Sequence, residues 1–247
     1  MKCIVLAAGY ATRLYPLTRD FPKPLLGVGG KPILDWLIDD AASMVDAFVV
    51  VTNHRFYEHF LRWKEGKEQR IIVLDDGTES NEARLGAVRD IRFALDALAI
   101  DEDCAVMAGD NLLDFSLKGF LSYALRAGTS CVMCHEEPRI EALRKTGVIE
   151  FDEAGIITSY QEKPQTPRGR YAVPPFYYYL AEDIRRIPEA LGQGCGFDAP
   201  GSFAAWLSRR APVHAYVMPG RRYDIGDMES YLKVQRAFEA GAFSTGG

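Results

Sequence analysis

Short continuous runs of apolar residues alternate with helical stripes through the first half of the chain. The runs lie at residues 3–6, 48–51, 71–74 and 104–108. The segments between them carry apolar residues three and four positions apart, as after Pro32 and in the stripe that includes Val88 and Ile91. Buried parallel strands read as continuous apolar runs because helices cover both faces of the sheet. The pattern therefore predicts an α/β fold.

From about residue 129 the elements become shorter. Residues 148–150 and 156–158 flank a turn-forming segment, which predicts a hairpin. A long aromatic strand is predicted over residues 171–180, and a last helix over residues 228–240. No linker or repeat divides the chain. We expect a single domain, a three-layer sandwich around a mostly parallel, Rossmann-like mixed sheet.

The composition of the chain argues against some classes of binding partner. The 247 residues carry a formal net charge of −5, which argues against the clustered positive charge of nucleic-acid or anionic membrane binding. No apolar run approaches the ~20 residues of a membrane span. The five scattered cysteines fit reduced core thiols, although Cys131 and Cys134 have metal-type spacing. We expect a cytoplasmic protein with neither nucleic-acid nor membrane partners.

The run from Leu6 to Pro24 has the layout of a phosphate-holding loop. Small residues, Gly9 among them, follow the first predicted strand, at the end of a sheet where ligands bind in open α/β folds. They let backbone N–H groups approach a polyphosphate, while Arg13 and Lys23 supply cations. Pro24 predicts an extended backbone at Lys23.

Two carboxylates are candidate metal ligands. Asp110 follows Gly109 at the end of the fourth apolar strand, and Asp224 follows the strand predicted over residues 213–218. Carboxylate oxygens together with phosphate oxygens and water form a normal Mg²⁺ site. An aspartate after a glycine is also common in turns, an alternative that the pattern leaves open.

A third motif, Glu162-Lys163-Pro164, repeats the arrangement around Lys23. Pro164 predicts an extended backbone at Lys163, and a rigid lysine beside a carboxylate suits a phosphate attached to a hydroxyl-rich body. The alternative is a solvated ion pair in a loop.

Taken together, these motifs resemble the sugar-phosphate nucleotidyltransferases, and in particular the glucose-1-phosphate thymidylyltransferases. The resemblance extends from residue 2 to about residue 230 and includes the Gly loop, Thr12-Arg13-Leu14, Pro22-Lys23, Gly109-Asp110-Asn111 and Glu162-Lys163-Pro164. Ala11 stands where many members have a second glycine, and the match around Asp224 is looser.

The resemblance implies an enzyme in which a phosphomonoester attacks the α-phosphorus of a nucleoside triphosphate and pyrophosphate leaves. Its partners would be a nucleoside triphosphate and a phosphorylated small molecule, and its cofactor Mg²⁺. The roles it implies are as follows: Arg13 and Lys23 catalytic; Leu6, Ala8, Gly9, Asn81 and Gly86 around the nucleotide; Gly147, Glu162, Lys163, Val173 and Tyr177 around the acceptor; Asp110 and Asp224 on the metal. The nucleotide-binding part would cover about residues 1–128 and the acceptor-binding part about 129–230 of a domain at 1–242, with a tail at 243–247.

Specificity stays open at this point. A pyrimidine base is favoured, because Asn81 offers one amide for dTTP, UTP or CTP in a small pocket. Pro174-Pro175 replaces the Thr-Gly of hexose-specific relatives and removes two backbone donors, which favours a modified sugar 1-phosphate. The alternatives are a cytidylyltransferase for a non-sugar phosphomonoester, a non-catalytic nucleotide-sugar-binding paralogue and a glycosyltransferase, although the last lacks its paired-acid motif. The oligomeric state, a homo-oligomer included, is left undecided.

Overall fold

The computed structural model describes residues 1–239. The strands are, in chain order, β1 (Lys2–Leu6), β2 (Gly27–Val28), β3 (Lys31–Pro32), β4 (Ala47–Thr52), β5 (Ile71–Asp75), β6 (Cys104–Ala108), β7 (Asn111–Leu113), β8 (Ser130–Glu136), β9 (Gly147–Phe151), β10 (Ile157–Glu162), β11 (Tyr171–Val173), β12 (Phe176–Tyr179), β13 (Val213–Val217) and β14 (Arg222–Asp224). The helices are α1 (Ile33–Ala41), α2 (Tyr57–Lys64), α3 (Ala87–Leu98), α4 (Leu117–Ala127), α5 (Ile140–Leu143), α6 (Ala181–Ile184), α7 (Ile187–Gly192), α8 (Gly201–Leu207) and α9 (Met228–Glu239).

The chain folds into two compact units. The first unit comprises residues 1–4, 85–107 and 119–218, and the second comprises residues 5–84, 108–118 and those from 219 onward. In the first unit the strand order is β10-β9-β11-β8-β12-β6, with β13 parallel to β8. The pairs from β10 to β6 are antiparallel.

The second unit contains the parallel pair β4–β5 and two small antiparallel sheets, β2–β3 and β7–β14. Its apolar core joins Leu14 and Leu26 to residues of α1, β7 and α9. The strand β4 is buried at every position, as its continuous apolar run predicts. The chain therefore has the α/β fold with a mixed sheet flanked by helices that the sequence predicts.

Several local predictions need correction. The aromatic strand predicted over residues 171–180 is two strands, β11 and β12, because Pro174 and Pro175 have no N–H to donate to a ladder. The sequence predicts Pro32 as the first residue of a helix, whereas Pro32 is the last residue of β3 and α1 begins at Ile33. The helix α4 was not predicted at all. The tail predicted at residues 243–247 and the end of the last helix lie outside the described residues.

The predicted core role of the cysteines agrees with their burial. Cys3, Cys104, Cys131 and Cys134 are buried free thiols, and burial raises the pKa of the Cys104 and Cys134 thiols to about 12. Within residues 1–239, no helix is long and apolar enough to cross a membrane.

Candidate active site

The Gly loop after β1 is held by hydrogen bonds within the second unit. The Ala7 N–H donates to the Val51 carbonyl of β4 at 2.9 Å. Asn53, which is fully buried directly after β4, donates from Nδ2 to the Ala8 carbonyl at 2.9 Å and accepts the Phe56 N–H. Gly9 has open space where a Cβ would lie. Hydrogen bonds from Ala7 and Asn53 therefore hold the backbone of the loop in place. The space beside Gly9 is open, so backbone N–H groups can approach a polyphosphate.

Ala11 adopts the conformation that the expected glycine would favour. Its φ of 46° and ψ of 43° are left-handed, a region that costs an L-residue about 1–2 kcal/mol. The Ala11 carbonyl accepts hydrogen bonds from the Leu14 N–H and from the buried hydroxyl of Thr18. These two bonds hold the backbone in this shape despite the methyl group.

Lys23 is the central cation of the second unit. Its side chain is 8% exposed, and its ammonium lies 2.7 Å from Asp110 Oδ2 and 3.9 Å from Asp224 Oδ1. The extended backbone predicted for it is wrong, since Lys23 begins a 3-10 turn closed by Leu26 N–H bonding to its carbonyl. The turn gives the buried backbone groups of this segment hydrogen-bond partners within the segment itself. These hydrogen bonds outweigh the preference for an extended backbone that Pro24 imposes on Lys23.

Asp110 and Asp224 come together through the small sheet β7–β14. Asp224 is opposite Asn111 in the register of that sheet. Asn111 is buried, donates to Asp110 Oδ1 at 2.9 Å and accepts from Arg222 Nη1 at 2.7 Å. Arg222 also lies 3.6 Å from Asp224 Oδ2. The sheet thus orients both carboxylates toward one cation.

One cavity of the second unit joins these groups. It is lined by residues that include Leu6, Gly9, Arg13, Lys23, Asp110 and Gly226. The Arg13 guanidinium reaches to 3.8 Å from the Cβ position of Gly226. Cations and carboxylates around an open backbone loop can bind a polyanion together with a divalent metal.

The two aspartates pass a simple test of fit for a metal ion. They already share one cation, the Lys23 ammonium, and their oxygens are the hard donors that Mg²⁺ prefers. No cluster of three or more His, Cys, Asp or Glu residues occurs among the described residues.

Three of the predicted acceptor residues meet in the first unit. Gly147 of β9 is opposite Glu162 of β10 on one side and Val173 of β11 on the other. The Thr146 hydroxyl donates to the Val173 carbonyl at 2.7 Å and ties the strands together. Tyr177 lies on β12, buried, with its ring stacked 5.8 Å from that of Tyr179.

Lys163 is exposed and left-handed, with a φ of 46°, so the extended backbone predicted for it is also wrong. Its N–H donates to the Thr146 carbonyl at 3.0 Å, which holds this conformation. A left-handed residue other than glycine costs about 1–3 kcal/mol, and such residues cluster at functional sites. Beside it, burial raises the pKa of Glu162 to about 7, while Lys163 lowers it in part.

The structure says less about the residues that are predicted to contact the nucleotide base. Asn81 of the second unit lies in a loop and accepts at its carbonyl from Arg84. Gly86 of the first unit has a φ of 91°, and a Cβ there would lie 2.7 Å from the Phe197 carbonyl, so packing alone requires a glycine. Their contact with a base stays a prediction.

Sequence reasoning missed three residues of these two regions. Asn53 could have been found as a helix-capping residue directly after a buried strand. Tyr160 shares a strand face with Glu162, since residues two apart on a strand point the same way. Arg222 gave no local signal, because its partners Asn111 and Asp224 meet it only in the fold.

Comparison with known proteins adds the family. The model of the nucleotidyl transferase family matches residues 2–241. The UTP–glucose-1-phosphate uridylyltransferase AglF of Haloferax volcanii is 30% identical over 72% of this chain and 72% of its own length. A putative mannose-1-phosphate guanyltransferase of Sulfolobus acidocaldarius is 30% identical over 95% of this chain, which spans only 62% of that relative.

A solved structure of UDP-glucose pyrophosphorylase complexed with UDP-glucose has the same fold. The TM-score is 0.82 at 23% identity, and the match covers 97% of this chain and 98% of that one. This likeness concerns the fold alone, whereas the family model covers nearly every residue of the sequence. The chain is therefore a nucleotidyltransferase, a member of the nucleotidyl transferase family.

Proposed function

We propose that the protein joins a nucleoside triphosphate to a sugar 1-phosphate and releases pyrophosphate. A phosphate oxygen of the sugar 1-phosphate forms a bond to the α-phosphorus, and the bond from that phosphorus to the bridging oxygen of the β-phosphate breaks. The nucleophile is already ionised, so the protein need not remove a proton. It must align two polyanions and neutralise the developing charge.

The observation that carries this proposal is the buried Lys23 ammonium between Asp110 and Asp224. The Lys23 side chain is only 8% exposed, so its charge is buried at a cost in desolvation free energy. A buried cation beside an open Gly loop and two carboxylates is typical of a site that binds a polyphosphate. Arg13 on the same cavity would bind the β- and γ-phosphates. Lys23 would stabilise the α-phosphate.

We further propose that Mg²⁺ is the cofactor and that Asp110 and Asp224 hold it. When bound, the ion would neutralise charge on the triphosphate and the leaving pyrophosphate. The contacts of Asn111 with Asp110 and of Arg222 with Asp224 would orient the two carboxylates for the ion.

On the acceptor side, Lys163 would bind the phosphate and Glu162 the sugar body. The strained, exposed Lys163 directly follows Glu162, the partly buried last residue of β10. That order suits a molecule with a phosphate at one end and a polar body at the other. Gly147 and Val173, adjacent to Glu162 in the sheet, would complete this wall with Tyr177.

A pyrimidine base is the proposed preference, and the uridylyltransferase relative supports it. The guanyltransferase relative makes GTP the competing outcome. The Pro174-Pro175 segment between β11 and β12 favours a modified sugar over glucose and keeps a non-sugar phosphomonoester with CTP as the second candidate. A non-catalytic paralogue would have no reason to keep the buried Lys23 pair. The reaction would take place in the cytoplasm.

The deciding experiment is pyrophosphate release with Mg²⁺. The protein is mixed with ATP, GTP, CTP, UTP or dTTP and with glucose, galactose or mannose 1-phosphate or a non-sugar phosphomonoester. We expect release with a pyrimidine nucleotide and at least one sugar 1-phosphate, and release slower by about a hundredfold or more from the Asp110→Asn variant. A clear preference for GTP or ATP would refute the base assignment. Release only with the non-sugar phosphomonoester would refute the proposal that the acceptor is a sugar 1-phosphate. A kcat/KM for glucose 1-phosphate of ~10⁴ M⁻¹s⁻¹ or more would refute the proposal that the acceptor is a modified sugar.

A further inference from the structure

A chain of three polar side chains in the second unit links β14 to the carboxylate that precedes β7. Arg222 Nη1 donates to Asn111 Oδ1 at 2.7 Å, and Asn111 Nδ2 donates to Asp110 Oδ1 at 2.9 Å. Asn111 is only 1% exposed, so bulk water cannot supply its amide with partners. The orientation of this amide therefore depends on the two groups at its ends.

The chemistry at the two ends allows a single direction of donation. A guanidinium has N–H groups and no acceptor, whereas a carboxylate has acceptors only. Asn111 must therefore present its oxygen to Arg222 and its NH2 group to Asp110. An amide turned end for end would put its NH2 group against the guanidinium and its oxygen against the carboxylate. Buried polar groups would then lose their partners, which destabilises that orientation.

The short sheet β7–β14 puts Arg222 within reach of Asn111. In its register Asp224 is opposite Asn111, and Arg222 is opposite Leu113. Arg222 and Asp224 are two residues apart on one strand, so their side chains share a face, and Arg222 is a diagonal neighbour of Asn111. The same nitrogen, Nη1, also lies 3.6 Å from Asp224 Oδ2. One nitrogen atom therefore makes both contacts of Arg222 with this site.

Asp110 accepts from a different donor on each of its oxygens. Its Oδ1 accepts from the neutral Asn111 amide, and its Oδ2 accepts from the Lys23 ammonium at 2.7 Å. These two buried donors together fix the plane of a carboxylate whose side chain is 35% exposed. An Asn111 oxygen facing Oδ1 would repel it, and the carboxylate would turn away from the geometry that the lysine and the amide set together.

We propose that Arg222 is a positioning residue for nucleotidyl transfer, because its guanidinium, which only donates, holds the Asn111 amide in the direction that fixes Asp110. This inference rests on the proposed function, in which Asp110 is a metal ligand. The side chain at position 222 must donate to Asn111 and must not accept from it. Lysine meets both conditions with its single nitrogen, whereas glutamine can donate or accept and so allows both directions of the amide.

The test observes the Asn111 amide directly. The chain has three asparagines, Asn53, Asn81 and Asn111, so selective ¹⁵N labelling of asparagine gives three pairs of side-chain amide signals. The Asn111 pair is identified by its loss in Asn111→Ser. Exchange of the amide hydrogens with D2O is followed by NMR, without metal, in the unaltered protein, Arg222→Lys and Arg222→Gln. We expect exchange at Asn111 to be faster by about tenfold or more in Arg222→Gln and within about threefold of the original rate in Arg222→Lys.

Turnover supplies a second measurement. With Mg²⁺ present, kcat for pyrophosphate release should fall by about tenfold in Arg222→Gln and return to within about threefold of the original value in Arg222→Lys. The KM for the nucleotide should stay within about twofold in both variants, because Arg222 acts on the geometry of Asp110 and not on ground-state binding.

Two controls separate this effect from general loosening and from loss of charge. Asn53 is the internal control, because its amide donates to a backbone carbonyl, that of Ala8, and should exchange at the same rate in every variant. Arg221→Gln is the matched variant, because it removes the same charge from an exposed neighbour whose side chain lies beside Tyr223. It should leave both the exchange at Asn111 and kcat unchanged.

Distinct results would overturn the assignment. Fast exchange at Asn111 in the unaltered protein, or unchanged exchange in Arg222→Gln, would show that the arginine does not hold the amide. Equally fast exchange in Arg222→Lys and Arg222→Gln would show that donor-only character is not what matters. Faster exchange at Asn53 as well would show a purely structural role. No pyrophosphate release by the unaltered protein would instead refute the proposed function and the catalytic part of this inference, whatever the exchange rates are.

Discussion

Replacing Lys23 by methionine tests the cation on which the candidate active site depends. Lys23 Nζ lies 2.7 Å from Asp110 Oδ2, and two unit charges at that distance attract by about 6 kcal/mol at an effective dielectric constant of 20. Desolvation of the buried ammonium offsets most of this attraction. The Asp110 side chain is 35% exposed, so water can solvate it when the lysine is removed.

The expected loss of stability therefore lies between two limits. Exposed pairs contribute about 0–1 kcal/mol, and breaking buried pairs costs about 3–5 kcal/mol. For this half-exposed pair we expect a free energy of unfolding lower by about 1–3 kcal/mol. A loss at the middle of that range would lower the Tm by about 4–8 °C for a chain of this size.

The same variant should bind divalent metal more tightly before any substrate is added. Lys23 lies 3.9 Å from Asp224 Oδ1 as well, so it repels any cation that the two carboxylates would share. Its removal should raise the affinity for Mn²⁺, a spectroscopic substitute for Mg²⁺, by about tenfold, or about 1.4 kcal/mol. Turnover should nevertheless fall by on the order of a hundredfold, because the α-phosphate loses its cation.

Three measurements on Lys23→Met decide the matter: thermal unfolding, Mn²⁺ titration by electron paramagnetic resonance, and pyrophosphate release. The control is Lys31→Met, since Lys31 pairs with Asp39 at 2.6 Å but is 31% exposed, and it should change stability by less than about 1 kcal/mol. Unchanged metal affinity and turnover in Lys23→Met would refute the assignment of this lysine.

The remaining predictions concern a metal ligand, a titrating group and a strained loop. Asp110→Asn should stay folded while turnover falls about a hundredfold or more, and turnover that remains at the original level would remove Asp110 from the site. Burial raises the pKa of Glu162 from 4.5 to about 7. Between these two pH values the folded protein keeps a proton on Glu162 that the unfolded chain releases. The free energy of unfolding should therefore fall as the pH rises from about 4.5 to 7. Glu162→Gln should flatten that part of a Tm-against-pH profile, and parallel profiles would contradict the shift. Ala11→Gly should raise the Tm slightly or leave it equal, since relief at a φ of 46° opposes the added freedom of the unfolded chain. A drop in Tm of more than about 4 °C, the size expected from a loss of about 1 kcal/mol, would show that the Ala11 methyl group is needed for packing.

Local pattern was enough for much of this protein. The apolar runs predict the strands β1, β4, β5 and β6, because a strand covered on both faces has no polar positions; β4 is buried throughout, whereas β5 is buried only at Val73. The Gly loop, Asp110 and Lys163 could be singled out because each follows a strand or precedes a proline within a few residues of sequence. The same local signals identified the family resemblance that the family model confirms.

The tertiary structure decided which of these residues meet. Lys23 and Asp110 are 87 residues apart, and only the fold brings the ammonium to the carboxylate. Arg222 joins the site through a two-stranded sheet whose strands are too short to be predicted from periodicity. Backbone shape followed the same rule at Lys23 and Lys163, where hydrogen bonds to the Leu26 N–H and the Thr146 carbonyl outweigh the preference set by a following proline. The sequence by itself determines which chemical groups the side chains carry. Which side chains form ion pairs, and which residues adopt a strained backbone conformation, depends on atoms that come close only when the chain is folded.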